Sequence, residues 1–300
     1  MTLRTDRRSV LAGMGALALA GCARSGQASA EPASAATGPF DLSGLERRNG
    51  GRLGLTAFDT GSGRLLGWRE QERFVYCSTF KLYLSAATLE RVQVGGERLD
   101  RVIPVTAADM VSHAPVTGPA VGATLTIEQL MKAVVEVSDN PAANILIREL
   151  GGIDALRAWY RSIGDQSTTV DRLEPMMNRL DGDKDTITPA QSAANLFRLF
   201  VSAESPLTGL SRDRLLRWMF DSPTGAARIK AGVPAGWTVA HKTGTGGYGP
   251  TNDIGMLYPS NGAPVIVAAY YHAATAEPAS RNDAVIASAT RLALAALGRA

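Results

Sequence analysis

The chain has 300 residues, 45% of them hydrophobic and 20% charged, with a formal net charge of +3. These fractions are typical of a soluble globular protein, so they exclude a membrane channel and predict one large domain or two closely packed domains. The three histidines are scattered without metal-ligand spacing, so no zinc site is expected.

Residues 1–22 are predicted to be an export signal. Arg4, Arg7 and Arg8 form a positive region, an apolar stretch follows, and Leu19-Ala20-Gly21-Cys22 ends it. The segment Arg7-Arg8-Ser9-Val10-Leu11 resembles a twin-arginine export motif. The last four residues resemble a bacterial lipobox, whose cysteine becomes the lipidated first residue of the mature protein. A plain cleaved secretory signal is the alternative.

Cleavage after residue 21 changes the net charge, and a lipid on Cys22 changes which cysteines can form a disulfide. Loss of residues 1–21 removes three arginines and one aspartate, leaving a net charge of about +1, so a nucleic-acid partner is not indicated. If Cys22 carries lipid, Cys77 has no partner and no internal disulfide forms. We expect an exported protein, periplasmic or at the cell surface, that touches a membrane only through a lipid on Cys22.

The remaining pattern begins and ends with strands. Residues 23–39 are rich in Ala, Ser, Gly and Pro and are predicted to be a flexible linker. A short helix over 42–47 and a β-hairpin over 52–59 and 64–68 follow. Helices are then predicted over 79–90, 130–137, 141–150, 153–163, 188–202 and 211–220, strands over 237–243, 253–258 and 264–272, and a last helix over 280–297.

This order predicts an α+β fold with an antiparallel five-stranded sheet, flanked by helices and built from both ends of the chain. The α/β domain is predicted to comprise residues 40–77 and 226–300. An inserted all-α domain is predicted over residues 78–225, with a cleft where the two meet. Within it, residues 169–187 are highly charged and lack periodicity, which predicts an ordered Ω-like loop.

The segment Ser78-Thr79-Phe80-Lys81 is a candidate active centre. A helix starting here places the hydroxyl of Ser78 one turn from the amine of Lys81, on the same face. A buried lysine with a lowered pKa can remove the proton of a seryl hydroxyl, which is otherwise a weak nucleophile. Taken alone, the tetrapeptide is better explained by Ser78 as a helix cap and Lys81 as a surface residue, so it needs support from the rest of the sequence.

Two further motifs could reach the same cleft. Ser138-Asp139-Asn140 lies between two predicted helices, where a turn can present polar side chains. Lys242-Thr243-Gly244 is predicted to end a strand and continues into a glycine-rich run that lets backbone approach a ligand closely. Each of these, taken singly, is also an ordinary cap or turn.

In this order, the three motifs together with Glu174 in the charged loop resemble those of the class A β-lactamases. The similarity extends from about residue 41 to the C-terminus. It includes the following segments: Asp171-Arg172-Leu173-Glu174-Pro175, Asn178, Asp185-Thr186 and Thr243-Gly244-Thr245-Gly246-Gly247-Tyr248-Gly249.

The resemblance implies a hydrolase that opens the β-lactam amide of penicillins and cephalosporins through a serine acyl-enzyme and confers antibiotic resistance. Ser78 is the implied nucleophile. Its proton goes either to Lys81 or, through a water, to Glu174, and this choice stays open. Ser138 is implied to relay a proton to the lactam nitrogen, helped by the charge of Lys242.

The resemblance also assigns substrate contacts. The backbone N–H groups of Ser78 and Thr245 are implied to form an oxyanion hole, worth about 3 kcal/mol per donor. Asn140 is implied to hold the substrate's amide side chain. Thr243, Thr245 and Arg228 are implied to grip the substrate carboxylate.

Hydrolysis of the acyl-enzyme is implied to depend on the charged loop. Glu174 and Asn178 are implied to hold and activate the hydrolytic water. The family pattern also implies a cis Glu174–Pro175 bond and an ion pair between Arg172 and Asp185 that pins the loop.

Three positions depart from the commonest family pattern. His113 stands where an aromatic residue is usual at the mouth of the cleft, and either stacks on substrate or is an exposed loop histidine. Gly246, also expected against the substrate, stands where the disulfide-bearing carbapenemases place a cysteine. Cys77 is therefore expected to be a buried free thiol, and carbapenem hydrolysis is not implied.

No cofactor or metal is expected, and the predicted partner is a small β-lactam bound by a monomer. Two rival functions share the motifs. One is a penicillin-binding DD-peptidase, which Glu174 disfavours, and the other is a lipid-tethered β-lactam sensor or binding lipoprotein without turnover. Multiple turnovers of a chromogenic cephalosporin would favour the hydrolase over both.

Overall fold

A computed structural model describes residues 40–247, 249–274 and 279–299. The predicted signal (residues 1–22) and linker (residues 23–39) lie outside the described residues. Within the described ranges, no helix combines the length and the apolarity needed to cross a bilayer.

The main sheet confirms the predicted architecture, because five antiparallel strands come from both ends of the chain. Their spatial order is β2-β1-β9-β8-β7. Arg52 of β1 pairs with His272 of β9, so the first strand lies beside the last. The strands are β1 (Arg52–Asp59), β2 (Leu65–Trp68), β7 (Thr238–Thr245), β8 (Pro250–Tyr258) and β9 (Val265–His272).

Two short ribbons, β3 with β6 and β4 with β5, join the connecting segments. They are β3 (Phe74–Val75), β4 (Val102–Pro104), β5 (Thr124–Thr126) and β6 (Thr186–Ile187). The helices are α1 (Ser43–Asn49), α2 (Phe80–Gln93), α3 (Ile127–Glu136), α4 (Asn140–Leu150), α5 (Ile153–Ser162), α6 (Pro189–Phe200), α7 (Gly209–Asp221), α8 (Ile229–Gly232) and α9 (Ala279–Leu297).

Helices cover both faces of the sheet, as the alternation along β9 shows. Val265, Val267 and Ala269 pack into one core with α1 and α9, whereas Ile266 and Ala268 pack into the other core with α2 to α7. Both faces are therefore covered, and β8 and β9 are buried at nearly every position.

Helix α2 lies at the centre of the larger core. Every residue from Phe80 to Leu89 is buried, including Lys81. The helix packs against α3, α4, α5 and α7. A charged amine on such a helix needs polar partners, because burial without them costs several kcal/mol. Those partners surround Lys81 in the cleft.

Several element boundaries differ from the sequence prediction, including the following three. Strand β7 does not end before Gly244 but continues to Thr245, which pairs with Thr251 because β8 begins at Pro250. Helix α7 begins at Gly209 rather than Ser211, since the Thr208 hydroxyl caps it.

Candidate active site

Ser78 lies in a 3₁₀ turn, Cys77–Thr79, that leads directly into α2. The turn packs tightly against β7, where a Cβ at Gly244 would lie 2.7 Å from Tyr76 O and 3.1 Å from Ser78 N. From the neighbouring strand β8, Asn252 Nδ2 donates to Tyr76 O at 3.1 Å. These contacts fix the backbone on which the hydroxyl is presented, between the sheet and the helices.

The amine of Lys81 lies among five oxygen atoms. Nζ is 3.1 Å from Ser78 Oγ and from Glu174 Oε1, 2.5 Å from Asn140 Oδ1, 2.7 Å from Ser138 O and 3.4 Å from Ser138 Oγ. An ammonium has only three protons, so these acceptors compete for them. Burial lowers the pKa of Lys81, opposed by the negative charge of Glu174. A lowered pKa makes proton exchange with Ser78 easier.

Ser138 sits in a tight turn between α3 and α4, with a φ of 62°. The turn is held by the buried carboxylate of Asp139, which accepts from Ala142 N, Val116 N and the Thr117 backbone and hydroxyl at 2.7–2.9 Å. Asp139 thereby caps α4 and joins it to the preceding loop.

Lys242 reaches the same hydroxyl from the sheet. Its Nζ donates to Ser138 Oγ at 3.2 Å and to Thr243 O at 3.0 Å. Its pKa is held well below the usual value, chiefly by burial and then by the positive charge of Lys81. Ser138 Oγ therefore lies between two amines, an arrangement that can pass a proton across the cleft.

Glu174 projects from the charged loop into the cleft and is only 3% exposed. Its Oε1 lies 3.5 Å from Ser78 Oγ, and Asn178 Nδ2 donates to its Oε2 at 2.5 Å. The Glu174–Pro175 peptide is cis. Asn144 on α4 fixes the backbone of Glu174, because its side chain donates to the carbonyl and accepts from the N–H, both at 3.0 Å.

The charged loop, residues 169–187, makes buried polar contacts. Arg172 Nε donates to Asp185 Oδ2 at 2.5 Å, so the ion pair implied by the family pattern is present. The other oxygen of Asp185 accepts from the Arg172 N–H and the Tyr76 hydroxyl, both at 3.1 Å. One buried carboxylate thus ties both ends of the loop to the strand that precedes Ser78.

Arg228 lies behind the outer end of β7 and is 6% exposed. Its guanidinium donates to Thr245 Oγ1 at 2.8 Å and Gly244 O at 3.0 Å, and Nε pairs with Asp283 at 2.7 Å. Thr243 Oγ1 is 3.1 Å from Thr224 Oγ1. The hydroxyls of Thr243 and Thr245 and the guanidinium of Arg228 form a polar edge that can bind an anion.

Three further positions singled out in the sequence are His113, Gly246 and Cys77. The ring of His113 is exposed and its Nε2–H donates to Val137 O at 2.9 Å, which ties it to the Ser138 turn. A Cβ at Gly246 would lie 2.5 Å from Asn178 O and 3.3 Å from Cys77 Sγ, so only glycine fits without displacement. Cys77 is a buried free thiol, and burial raises its pKa.

The structure brings Ser78, Lys81, Ser138, Glu174 and Lys242 together around one cleft, with Asn140 and Asn178 beside them. Sequence reasoning missed Asn144, Asn252 and Asp283, which position these groups. For Asn144 a signal existed, because it lies four positions after Asn140, on the same helical face, and the other residues from Pro141 to Ile147 are apolar.

Across the described ranges, no group of three or more His, Cys, Asp or Glu side chains is arranged to hold a metal ion. The polar groups of the cleft are instead arranged around a serine hydroxyl. Nucleophile, candidate base and helix N-terminus are the components of covalent catalysis by a side chain.

Comparison with known proteins gives consistent matches. The model of the "Beta-lactamase enzyme family" matches residues 41–297. Beta-lactamase L2 of Stenotrophomonas maltophilia is 43% identical over 249 residues, 82% of this chain and 82% of that protein. A beta-lactamase of Streptomyces fradiae is 39% identical, covering 97% of this chain and 96% of that protein.

Solved structures agree with these matches. An ancestral class A beta-lactamase has a TM-score of 0.81 and 46% identity, covering 85% of this chain and 98% of that one. A beta-lactamase from Xanthomonas campestris pv. campestris has a TM-score of 0.81 and 41% identity, covering 85% of this chain and 95% of that one.

Proposed function

This chain belongs to the class A β-lactamase family and is a hydrolase of β-lactams; from that premise we propose the roles of its individual side chains. Ser78 is the nucleophile. Its Oγ attacks the lactam carbonyl and loses its proton to Lys81 Nζ, which lies 3.1 Å away. Glu174, 3.5 Å from the same oxygen, is the alternative acceptor through a water.

The tetrahedral intermediate needs donors where negative charge develops. The N–H groups of Ser78 and Thr245 supply them, at about 3 kcal/mol each. The close packing of Gly244 on the Ser78 backbone supports this assignment, because it brings β7 beside the nucleophile turn.

The substrate is bound through its carboxylate and through its amide side chain. The substrate carboxylate accepts hydrogen bonds from Arg228, Thr243 and Thr245. Arg228 acts partly by orienting the Thr245 hydroxyl, to which it donates at 2.8 Å. Asn140 takes the amide side chain. His113 and Gly246 border the mouth of the cleft.

Collapse of the intermediate breaks the bond between the carbonyl carbon and the lactam nitrogen, and the nitrogen needs a proton. Ser138 supplies that proton from its hydroxyl. It regains one from Lys81 or Lys242, whose amines lie 3.4 and 3.2 Å from Ser138 Oγ. This sequence leaves Ser78 as an ester of the opened ring.

Water then hydrolyses the Ser78 ester. Glu174 takes a proton from a water held by its own carboxylate and by Asn178, and the resulting hydroxide attacks the ester carbonyl. The bond between the carbonyl carbon and Ser78 Oγ then breaks, Oγ takes back a proton from Lys81 or Glu174, and the opened ring leaves as a carboxylic acid. The observation that carries the proposal is the position of Glu174, which is 3% exposed and within one water of Ser78 Oγ.

The same observation decides against the two rivals. A DD-peptidase or a sensor of β-lactams keeps its acyl-enzyme, whereas a carboxylate positioned beside Ser78 favours turnover. The test is incubation with a chromogenic cephalosporin at known enzyme concentration. Many turnovers that vanish in Ser78→Ala support the proposal, and a single stoichiometric burst overturns it.

We also propose that the protein is exported and anchored through a lipid on Cys22, as a monomer in the periplasm or at the cell surface. The support is the arginine-rich, apolar N-terminus that ends in Leu-Ala-Gly-Cys. Mass spectrometry of the mature N-terminus should show a diacyl- or triacyl-cysteine that Cys22→Ser removes. Light scattering of the domain without residues 1–39 should give the mass of one chain.

A further inference from the structure

The turn after α7, residues 222–225, carries two hydroxyls that the mechanism does not use. Its Gly225 packs closely against β7, since the φ is 66° and a Cβ there would lie 2.4 Å from Thr243 Cγ2. Lys230 Nζ on α8 anchors the turn by donating to Ser222 O at 2.9 Å. The hydroxyls of Ser222 and Thr224 are therefore held beside the proposed contact for the substrate carboxylate.

These two hydroxyls continue a chain of hydrogen bonds that starts at Thr243. Thr243 Oγ1 lies 3.1 Å from Thr224 Oγ1, which lies 2.9 Å from Ser222 Oγ. Ser222 Oγ donates to the carbonyl of Glu136, the last residue of α3, at 2.9 Å. A carbonyl at the end of a helix has no partner within the helix and can only accept. The chain thus ends on a group that cannot donate.

The direction of the chain follows from this last acceptor. A hydroxyl donates one proton, and the proton of Ser222 is used by Glu136 O. Ser222 Oγ therefore accepts from Thr224, whose single proton is used in turn, and Thr224 Oγ1 accepts from Thr243. As a result, the Thr243 proton points to Thr224 and not into the cleft, where an ionised carboxylate needs a donor.

We propose that Ser222 is a positioning residue that weakens binding of the substrate carboxylate, because it holds the Thr243 proton away from the cleft through Thr224. When the carboxylate accepts the Thr243 proton, the Thr224 hydroxyl turns from Ser222 to Thr243. Only two hydroxyl protons change direction, and no covalent bond forms or breaks. The inference rests on the proposed contact between Thr243 and the carboxylate, and it adds the residue that limits the strength of that contact.

The hydrogen bond that Ser222 loses on binding is not fully replaced. Ser222 is 3% exposed and Thr243 is 7% exposed, so solvent has little access to either hydroxyl. The Thr224 N–H donates to Ser222 Oγ at 3.4 Å, a longer contact than the 2.9 Å between the Thr224 and Ser222 hydroxyls. The net contribution of one neutral hydrogen bond corresponds to about a two- to tenfold change in affinity. Ser222 therefore lowers the affinity for the carboxylate by a factor of this size.

The test is the steady-state kinetics of Ser222→Ala with a chromogenic cephalosporin and with the methyl ester of its carboxylate. Because the competing acceptor is removed, KM for the acid should fall about two- to tenfold with kcat nearly unchanged. KM for the ester should change by less than about twofold, since a neutral ester is a weaker acceptor than a carboxylate. The matched control is Ser162→Ala on α5, which removes a hydroxyl that donates to Trp159 O at 2.7 Å and should leave KM unchanged.

Thr243→Val separates this inference from the proposed function. It should raise KM for the acid, and Ser222→Ala should have no further effect in that background. An unmoved KM in Thr243→Val overturns both the proposed contact and the inference. A raised KM in Thr243→Val, together with an unchanged or higher KM in a folded Ser222→Ala enzyme, overturns the inference alone.

A merely structural role for Ser222 predicts the opposite result, because a loosened turn would lower Tm and raise KM for acid and ester alike. Thermal unfolding shows whether Ser222→Ala folds. If it does not, Ser222→Cys gives the decision, since a sulfur of similar shape is a weak acceptor and should also lower KM for the acid. An unchanged or higher KM in Ser222→Cys would then overturn the inference.

Discussion

Replacing Glu174 by glutamine should make the Ser78 acyl-enzyme accumulate. The carboxylate has donors on every side, namely Lys81 Nζ at 3.1 Å, the Ser78 hydroxyl at 3.5 Å and Asn178 Nδ2 at 2.5 Å. A glutamine amide must turn its NH₂ towards one of them. Asn178 can accommodate it, because its Oδ1 is buried without a partner and a flip of the amide presents that oxygen as an acceptor.

The substitution should act on the two chemical steps in opposite ways. General base catalysis contributes about 10²–10⁴-fold, so deacylation should slow by that factor, or roughly 3–5 kcal/mol. Acylation should survive, because the negative charge of Glu174 raises the pKa of Lys81 and its loss leaves more of that amine free to accept the Ser78 proton.

Intact-protein mass spectrometry after mixing with a penicillin should therefore show one covalent adduct per chain, with steady-state turnover falling in proportion. The matched control is Asp183→Asn, which neutralises a carboxylate on the same loop that is 79% exposed and should leave turnover unchanged. Unchanged turnover in a folded Glu174→Gln enzyme would refute the assignment of the base. Absence of any adduct would instead show that Glu174 is needed for acylation.

Four further substitutions test other parts of the site. Ser78→Ala should abolish hydrolysis, and a wild-type rate would remove Ser78 as nucleophile. Arg228→Ala should raise KM by the equivalent of about 1–3 kcal/mol with little change in kcat, because the substrate carboxylate loses a charged donor; an unchanged KM would assign that contact to another cation. Asp185→Asn should lower Tm and speed proteolysis within residues 169–187, since the ion pair with Arg172 is lost; unaltered protease resistance would contradict this. Lys242→Met should be inactive yet more stable at neutral pH by about 1–4 kcal/mol, because a buried charge is removed. The folded-state pKa of Lys242 lies below its usual 10.5, so the unfolded chain binds the extra proton and the stability gap should narrow as pH rises towards 10.5; a gap independent of pH would count against it.

Local sequence signals predicted the site where chemistry and helix geometry coincide. The spacing of Ser78 and Lys81 on one helical turn predicted a contact that the structure shows at 3.1 Å. The segment Thr126-Ile127-Glu128-Gln129 has the sequence of a capping box, and the structure shows both reciprocal bonds between Thr126 and Gln129. Such signals depend only on residues within one turn of each other, so the sequence contains them completely.

What sequence reasoning missed depends on partners far away in the chain. Gly244 suggested the end of a strand, yet β7 continues because Thr245 has a pairing partner in Thr251 and because Gly244 must lie flat against the Ser78 turn. Asn252 gave no periodic signal at all. Its partner, the carbonyl of Tyr76, lies 176 positions earlier in the chain, and only the folded chain brings the two together.

The pairing of the first strand with the last affects how this protein is made. Arg52 and His272 are neighbours across the sheet but about 220 residues apart in the chain. At a synthesis rate of roughly 5–20 residues per second, β1 leaves the ribosome about 10–45 seconds before its partner exists. The cleft therefore forms only after translation is nearly complete. Until β9 emerges, the edge of β1 that it covers is free to pair with other chains.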